Sequence, residues 1–279
     1  MNTPYPPIAL QGDDYLELLK AVLTASIYEE SGWMSTAHAH AGPPRWLHRV
    51  LRHFGLLLVR PQPMNTQSRI EGRDWPLFGY TMAGHKRLDH MQQCVATIVR
   101  DGIEGDLIET GAWRGGMTIF MRALLRQHGD RTRRVWVADS FEGLPVPDDA
   151  SDGWDYSRVD ILKVPLEQVR RNFARFGLLD EQVRFLPGWF ADTLPSAPIG
   201  KLSMLRLDGD LYSSTRDALT HLYDKLSPGG FVVVDDYYSW PSCKRAVDEF
   251  LTQRGIAAAI EPIDWSACCW RVPLAADVS

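Results

Sequence analysis

The sequence predicts an α/β fold, a doubly wound and mostly parallel sheet preceded by a helical extension and a lid. Three observations carry this. From Gly105 onward, short apolar runs alternate with helix-like stretches, the pattern of right-handed strand–helix–strand crossovers. Upstream of Gly105 the alternation is absent. Two of the apolar runs, in MLRLDGDLY and FVVVDDYY, end in aspartate clusters, Asp208 with Asp210 and Asp235 with Asp236. A strand buried on both faces reads as such a continuous apolar run.

The elements follow in order. DYLELLKAVLTASIYEE, from Asp13 or Asp14 to Glu30, has apolar residues at helical spacing behind acidic residues suited to a cap. RWLHRVLRHFGLLL, Arg45 to Leu58, is a second amphipathic helix. The segment from Arg60 to Gly79 is rich in Pro, Asn, Gln and Arg, and is either a lid or a surface connection. HKRLDHMQQCVATIVRDG forms a helix ending near Gly102. DLIET, VWVADS, VRFLP, LSMLRLD and FVVVDD are the strands of the core. MTIFMRALLRQHG, PLEQVRRNFARFG, SSTRDALTHLYDKL and PSCKRAVDEFLTQRG are the helices between them. AAAIEPIDW and ACCWRVPL read as an antiparallel edge hairpin, which completes seven strands. The expected division is residues 1–104 for helices and lid and 105–279 for the core.

Composition narrows the function. A hydrophobic share of 45% with 23% charged residues is enough to bury a core. A net charge of −5 gives no reason to expect nucleic-acid or anionic-membrane partners. No apolar run approaches the roughly 18 residues that span a bilayer, and MNTPYPPIAL lacks the pattern of a signal peptide. Cys94, Cys243, Cys268 and Cys269 contain no CxxC pair, so neither a disulfide framework nor a zinc site is indicated. A cytoplasmic protein is expected.

The candidate site lies at the strand ends. If the two aspartate-bearing strands are neighbours, both clusters emerge at the carboxyl edge, where open α/β sheets bind ligands. Carboxylates gathered there repel one another unless a cation neutralises them, and an all-oxygen set suits Mg²⁺. The alternative is that Asp208 and Asp210 cap a following helix. In GDLIETGAWRGG the glycines at 111, 115 and 116 let a backbone approach a ligand closely. Neither a GxGxxG turn nor a Gly-Lys-Ser/Thr phosphate loop is present. Glu109 would repel a pyrophosphate but accept from an ammonium group, which favours a cationic or amino-acid-bearing cofactor. Asp139, closing the second strand, stands where a carboxylate commonly meets ribose hydroxyls. Gly188, Trp189 and Phe190 either wall a flat ring or pack in the core. Arg114 and His85 lie near the pocket in sequence, His85 as a loop or cap residue.

With IYEE, YTMAGHKRLDHM, GDLIETGAWRGG, ADSFEGLP, GWFADTLP, LRLDGDLYSST and SPGGFVVVDDYYSWPSCKRAVDEF in this order, the chain resembles class I S-adenosylmethionine-dependent methyltransferases. More narrowly, it resembles the macrocin O-methyltransferase family, which methylates deoxysugar hydroxyls on macrolide and aminocoumarin antibiotics. The resemblance implies Mg²⁺ held by Asp208, Asp235 and Asp236, with Asp210 as general base. It implies S-adenosylmethionine bound by Thr81, Met82, Glu109, Gly111, Ala112, Arg114, Asp139, Ser140, Gly188, Trp189, Phe190 and Asp208. A glycosylated small-molecule acceptor and a homodimer or higher homo-oligomer follow from it as well. Ala112 replaces an expected larger aliphatic residue, and Ser31 to Arg60 matches less well. The last two motifs also resemble catechol-type methyltransferases, so a catechol or another small vicinal diol is the alternative acceptor. A nicotinamide-dependent oxidoreductase is disfavoured by the missing GxGxxG turn, and a silent scaffold by the presence of all four aspartates and Glu109.

Overall fold

The computed structural model describes residues 14–28, 32–35, 44–56, 58–62, 65–153 and 155–274. The chain divides into two compact units, Met1–Gly84 and His85–Ser279. The division falls ahead of the expected boundary at residue 104, because the helix beginning at His85 groups with the sheet.

In the first unit, α1 (Asp14–Leu23) buries Leu16, Leu19 and Leu23 along one face. It ends well before Glu30. Thr24 Oγ1 donates back to Lys20 O at 2.9 Å, and Ala25 takes a left-handed φ of 56°. Asp13, Glu29 and Glu30 lie outside the described residues. β1 (Gly32–Ser35) pairs antiparallel with β2 (Val59–Gln62), a two-stranded ribbon enclosing α2 (Arg45–His53) in sequence. α2 stops short of Leu58 because Gly55 turns with φ 69°. α3 (Thr66–Glu71) is capped by Asn65, whose side chain accepts from Ser68 N–H at 3.0 Å. The segment from Arg60 to Gly79, expected as a loop serving as lid or surface connection, holds the end of β2 and all of α3. Arg69 pairs with Asp74 at 2.7 Å and donates to Thr24 O at 3.1 Å.

The second unit opens with α4 (His85–Arg100). There follow β3 (Asp106–Thr110), α5 (Gly116–Gln127), β4 (Val135–Asp139), α6 (Leu166–Arg175), β5 (Val183–Pro187), the short α7 (Phe190–Thr193) and β6 (Leu202–Leu207). α8 (Tyr212–Leu222), β7 (Leu226–Val234), α9 (Pro241–Gln253), β8 (Glu261–Pro262) and β9 (Cys268–Arg271) complete it. The sheet has seven strands in the order β5-β4-β3-β6-β7-β9-β8. β5 through β7 are parallel, and β9 runs antiparallel to both β7 and β8. The predicted fold and the edge hairpin are thus observed. β6 is buried along its whole length, and Ile108, Leu205, Val232, Leu219, Val247 and Trp270 share one apolar core. Each such side chain contributes about 1.5–3 kcal/mol on burial. Among the described residues no helix is long and apolar enough to cross a membrane. All four cysteines are free and buried.

The strand order reverses between β3 and β6. β4 and β5 follow β3 on one side, while β6 and β7 lie on the other. Such a switch point opens a crevice at the carboxyl edge.

Candidate active site

Gly111, just past β3, and Asp208, just past β6, meet at this crevice. Gly111 has φ 93°, and a Cβ built on it would lie 1.8 Å from Asp208 O. Only a glycine lets the two backbones come this close. The register then sets the chemistry. Glu109 on β3 faces Arg206 on β6, and Asp208, two residues on, returns to the same side of the strand.

Arg206 is 1% exposed and sits at the centre of the site. Its Nη1 donates to Glu109 Oε1 and, at 2.6 Å, to Asp208 Oδ2; its Nη2 donates to Asp235 Oδ1. Arg87 of α4 reaches the other oxygen of Asp235 at 2.5 Å and pairs through Nε with Asp264 at 2.7 Å. Asp236 has one buried oxygen, Oδ2, without a donor among the described residues. One oxygen each from Asp208, Asp235 and Asp236 lies within 4.8 Å of the others. Asp210, two residues after Asp208, takes a left-handed φ of 57°.

Carboxylates outnumber cations here. Glu109, Asp208, Asp210, Asp235, Asp236 and Asp264 are set against Arg87 and Arg206. Burial pushes Glu109 up to about 8, opposed by the Arg206 guanidinium. Burial raises Asp208 to about 6, with Arg206 again pulling down. Asp210 rises to about 8 through burial and then the charges of Asp208 and Asp235. Asp236 is raised well above its ordinary value by burial and by Asp210. Surplus negative charge, clustered oxygens and a donor-less buried carboxylate oxygen together suit a divalent cation with oxygen preference.

Helix capping by the aspartates is excluded by the geometry. The N-cap of α8 is Leu211, with no side-chain cap. Its first amide, Tyr212 N–H, donates instead to Asp152 Oδ1 at 2.8 Å. The helix after Asp235 and Asp236 starts at Pro241.

Beside the carboxylates, the turn after β3 is held by Asp139. Its Oδ2 accepts from Ala112 N–H (2.6 Å) and Trp113 N–H (3.1 Å), and its Oδ1 from Phe141 N–H (2.6 Å). Ser140 Oγ donates to Gly143 O at 2.8 Å. Gly188 N–H donates to Asp139 O at 2.9 Å, which brings the β5 end beside the β4 end. Phe190 packs partly on the core, whereas Trp189 is 36% exposed. Arg114 lies over the Trp113 ring at 4.1 Å. Glu109 Oε2 is a second buried oxygen without a donor among the described residues. Thr81 and Met82 belong to the first unit. There Thr81 is buried, its Oγ1 accepting from Ala83 N–H at 3.0 Å. His85 is the first residue of α4.

Sequence reasoning missed Arg206, Arg87, Asp264 and Asp152. Arg206 carried a usable signal, as a lone charge inside the apolar run MLRLD, two residues from an aspartate.

The family model for macrocin O-methyltransferase matches residues 12–272. The 8-demethyl-8-(2,3-dimethoxy-alpha-L-rhamnosyl)-tetracenomycin-C 4'-O-methyltransferase of Streptomyces olivaceus is 49% identical over 93% of this chain and 92% of its own length. The demethyldecarbamoylnovobiocin O-methyltransferase of Streptomyces niveus is 46% identical over 92% of each chain. The solved structure of the O-methyltransferase NovP superposes with a TM-score of 0.80 at 46% identity, covering 93% of this chain and 98% of that one. The chain therefore belongs to the macrocin O-methyltransferase family and is an O-methyltransferase.

Proposed function

We propose that the protein transfers a methyl group from S-adenosylmethionine to a hydroxyl of a deoxysugar on a natural product, with Mg²⁺ held by Asp208, Asp235 and Asp236. The observation that carries this is the meeting of those three carboxylates and Asp210 with the Gly111 turn at one switch point. The rhamnosyl acceptor in the name of the Streptomyces olivaceus relative supports the sugar.

The donor supplies an electrophilic methyl group on sulfur. The Gly111–Arg114 turn, Asp139, Ser140, Gly188, Trp189 and Phe190 form its berth. Its ammonium group would satisfy Glu109 Oε2. Methyl transfer is an in-line displacement, so the chain's main task is to hold the acceptor oxygen against that methyl group. Bound Mg²⁺ would acidify and orient a hydroxyl and offset the surplus charge. An ordinary carboxylate near pKa 3.9 is too weak a base for an unassisted alcohol, so Asp210 would take the proton of a hydroxyl that the ion has acidified, as the methyl moves and the donor sulfur becomes a neutral thioether.

The test is incubation with S-adenosylmethionine, Mg²⁺ and a panel of rhamnosylated aromatic polyketides, with simple catechols as the second arm. A mass gain of one methylene on the glycoside, lost with EDTA and restored by Mg²⁺, is expected. Turnover on catechol alone, or turnover that survives exhaustive chelation, would refute it. The exposed apolar residues Trp46, Val50 and Phe54 on and just after α2 support a homo-oligomer, and sedimentation at the mass of a single chain would argue against one.

A further inference from the structure

We infer that Arg206 and Arg87 are positioning residues that fix the orientation of the metal-binding carboxylates Asp208 and Asp235. Arg206 ties together acidic groups from three neighbouring strands or their ends: Glu109 of β3, Asp208 after β6 and Asp235 after β7. Arg87 approaches Asp235 from α4 and takes its second oxygen. Each oxygen of Asp235 thus has a guanidinium from a different element, and the carboxyl plane cannot rotate without breaking one contact.

Arg87 is itself fixed from behind. Asp264 Oδ2 accepts from its Nε at 2.7 Å, and the Trp265 ring lies 5.5 Å from its guanidinium carbon. Asp264 is braced in turn, its Oδ1 accepting from Ser266 N–H at 2.9 Å and Ala267 N–H at 2.8 Å. The chain of support runs from the β8–β9 turn through α4 to the metal group. Neither arginine meets the reacting atoms; both act through the carboxylates. The planar fork matters as much as the charge. A lysine ammonium is a point charge and cannot span three carboxylates in fixed directions. Residues that orient metal ligands this way usually govern metal affinity.

The inference rests on the metal reading proposed above, so the experiment starts with the wild-type protein. Mn²⁺ titration followed by electron paramagnetic resonance, with S-adenosylhomocysteine present, gives cation affinity, and calorimetry gives S-adenosylhomocysteine affinity. Arg206→Lys and Arg87→Gln should each weaken Mn²⁺ binding by about 10- to 100-fold. Arg87→Gln should leave S-adenosylhomocysteine affinity unchanged, because among the described residues Arg87 pairs with Asp235 and Asp264 rather than with the donor berth. Unchanged Mn²⁺ affinity in the variants overturns the inference, as does a parallel loss of S-adenosylhomocysteine binding in Arg87→Gln. If Arg206→Lys does not fold, Arg87→Gln decides alone. No Mn²⁺ binding by the wild-type protein would overturn the metal reading itself and this inference with it.

Discussion

Asp210→Asn should lower kcat by about 100- to 10,000-fold, the range lost when a positioned proton acceptor is removed. The substitution is clean for a geometric reason. Asp210 occupies the left-handed region at φ 57°, and Asn is among the few residues that enter it readily. The backbone between β6 and α8 should therefore hold its course. The proposed donor berth lies at the β3, β4 and β5 ends, so calorimetric binding of S-adenosylhomocysteine should match the wild type. A variant that keeps full turnover in saturating Mg²⁺ would remove Asp210 from the mechanism. One that loses cofactor binding would show a structural role instead.

Asp236→Asn should produce a crossed result. Its buried Oδ2 has no donor among the described residues, and burying an unpaired charged oxygen is costly. Neutralising it relieves the crowding of carboxylates, and the new amide can donate to Asp210. The metal-free protein should become more stable, with Tm rising by about 2–4 °C per kcal/mol gained. The same change removes a proposed metal ligand. Mg²⁺ affinity should then fall beyond the roughly 100-fold expected for an outer-lying partner, and the rise in Tm on adding Mg²⁺ should vanish. Thermal unfolding with and without Mg²⁺ measures both. An equal Mg²⁺-induced shift in variant and wild type would show that Asp236 binds no metal.

What the sequence disclosed and what it hid have physical causes. The strands of the sheet stood out because each is apolar and short and leads into a turn or acidic cluster, as in DLIET and FVVVDD. Asp208, Asp235 and Asp236 could be placed together because parallel neighbours end at one edge. Arg206 could not be paired in the same way. Its partner Glu109 is 97 positions away, and only the cross-strand register sets the two opposite each other. Arg87 looked like one of several charges on an amphipathic helix, and nothing local marks it as buried. The first unit was harder still. β2 carries Pro61 and, among the described residues, pairs with the four residues of β1, and α3 is six residues long. Both are too brief for periodicity to separate them from a loop, although Asn65 before Thr66 was a legible cap.

Because β9 runs against β7, the turn leading into it lands beside the β7 end, where Ser266 Oγ donates to Asp235 O at 2.7 Å. Asp264 in that turn is the last member of the charged network in chain order, after Arg87, Glu109, Arg206, Asp208 and Asp235. A nascent chain grown as far as α9 already contains every aspartate of the metal group, yet Arg87 still lacks its rear brace. Translation thus delivers the locking piece after the parts it locks, and a ribosome-bound fragment ending before Glu261 would carry the ligands without the Asp264 brace that secures their alignment.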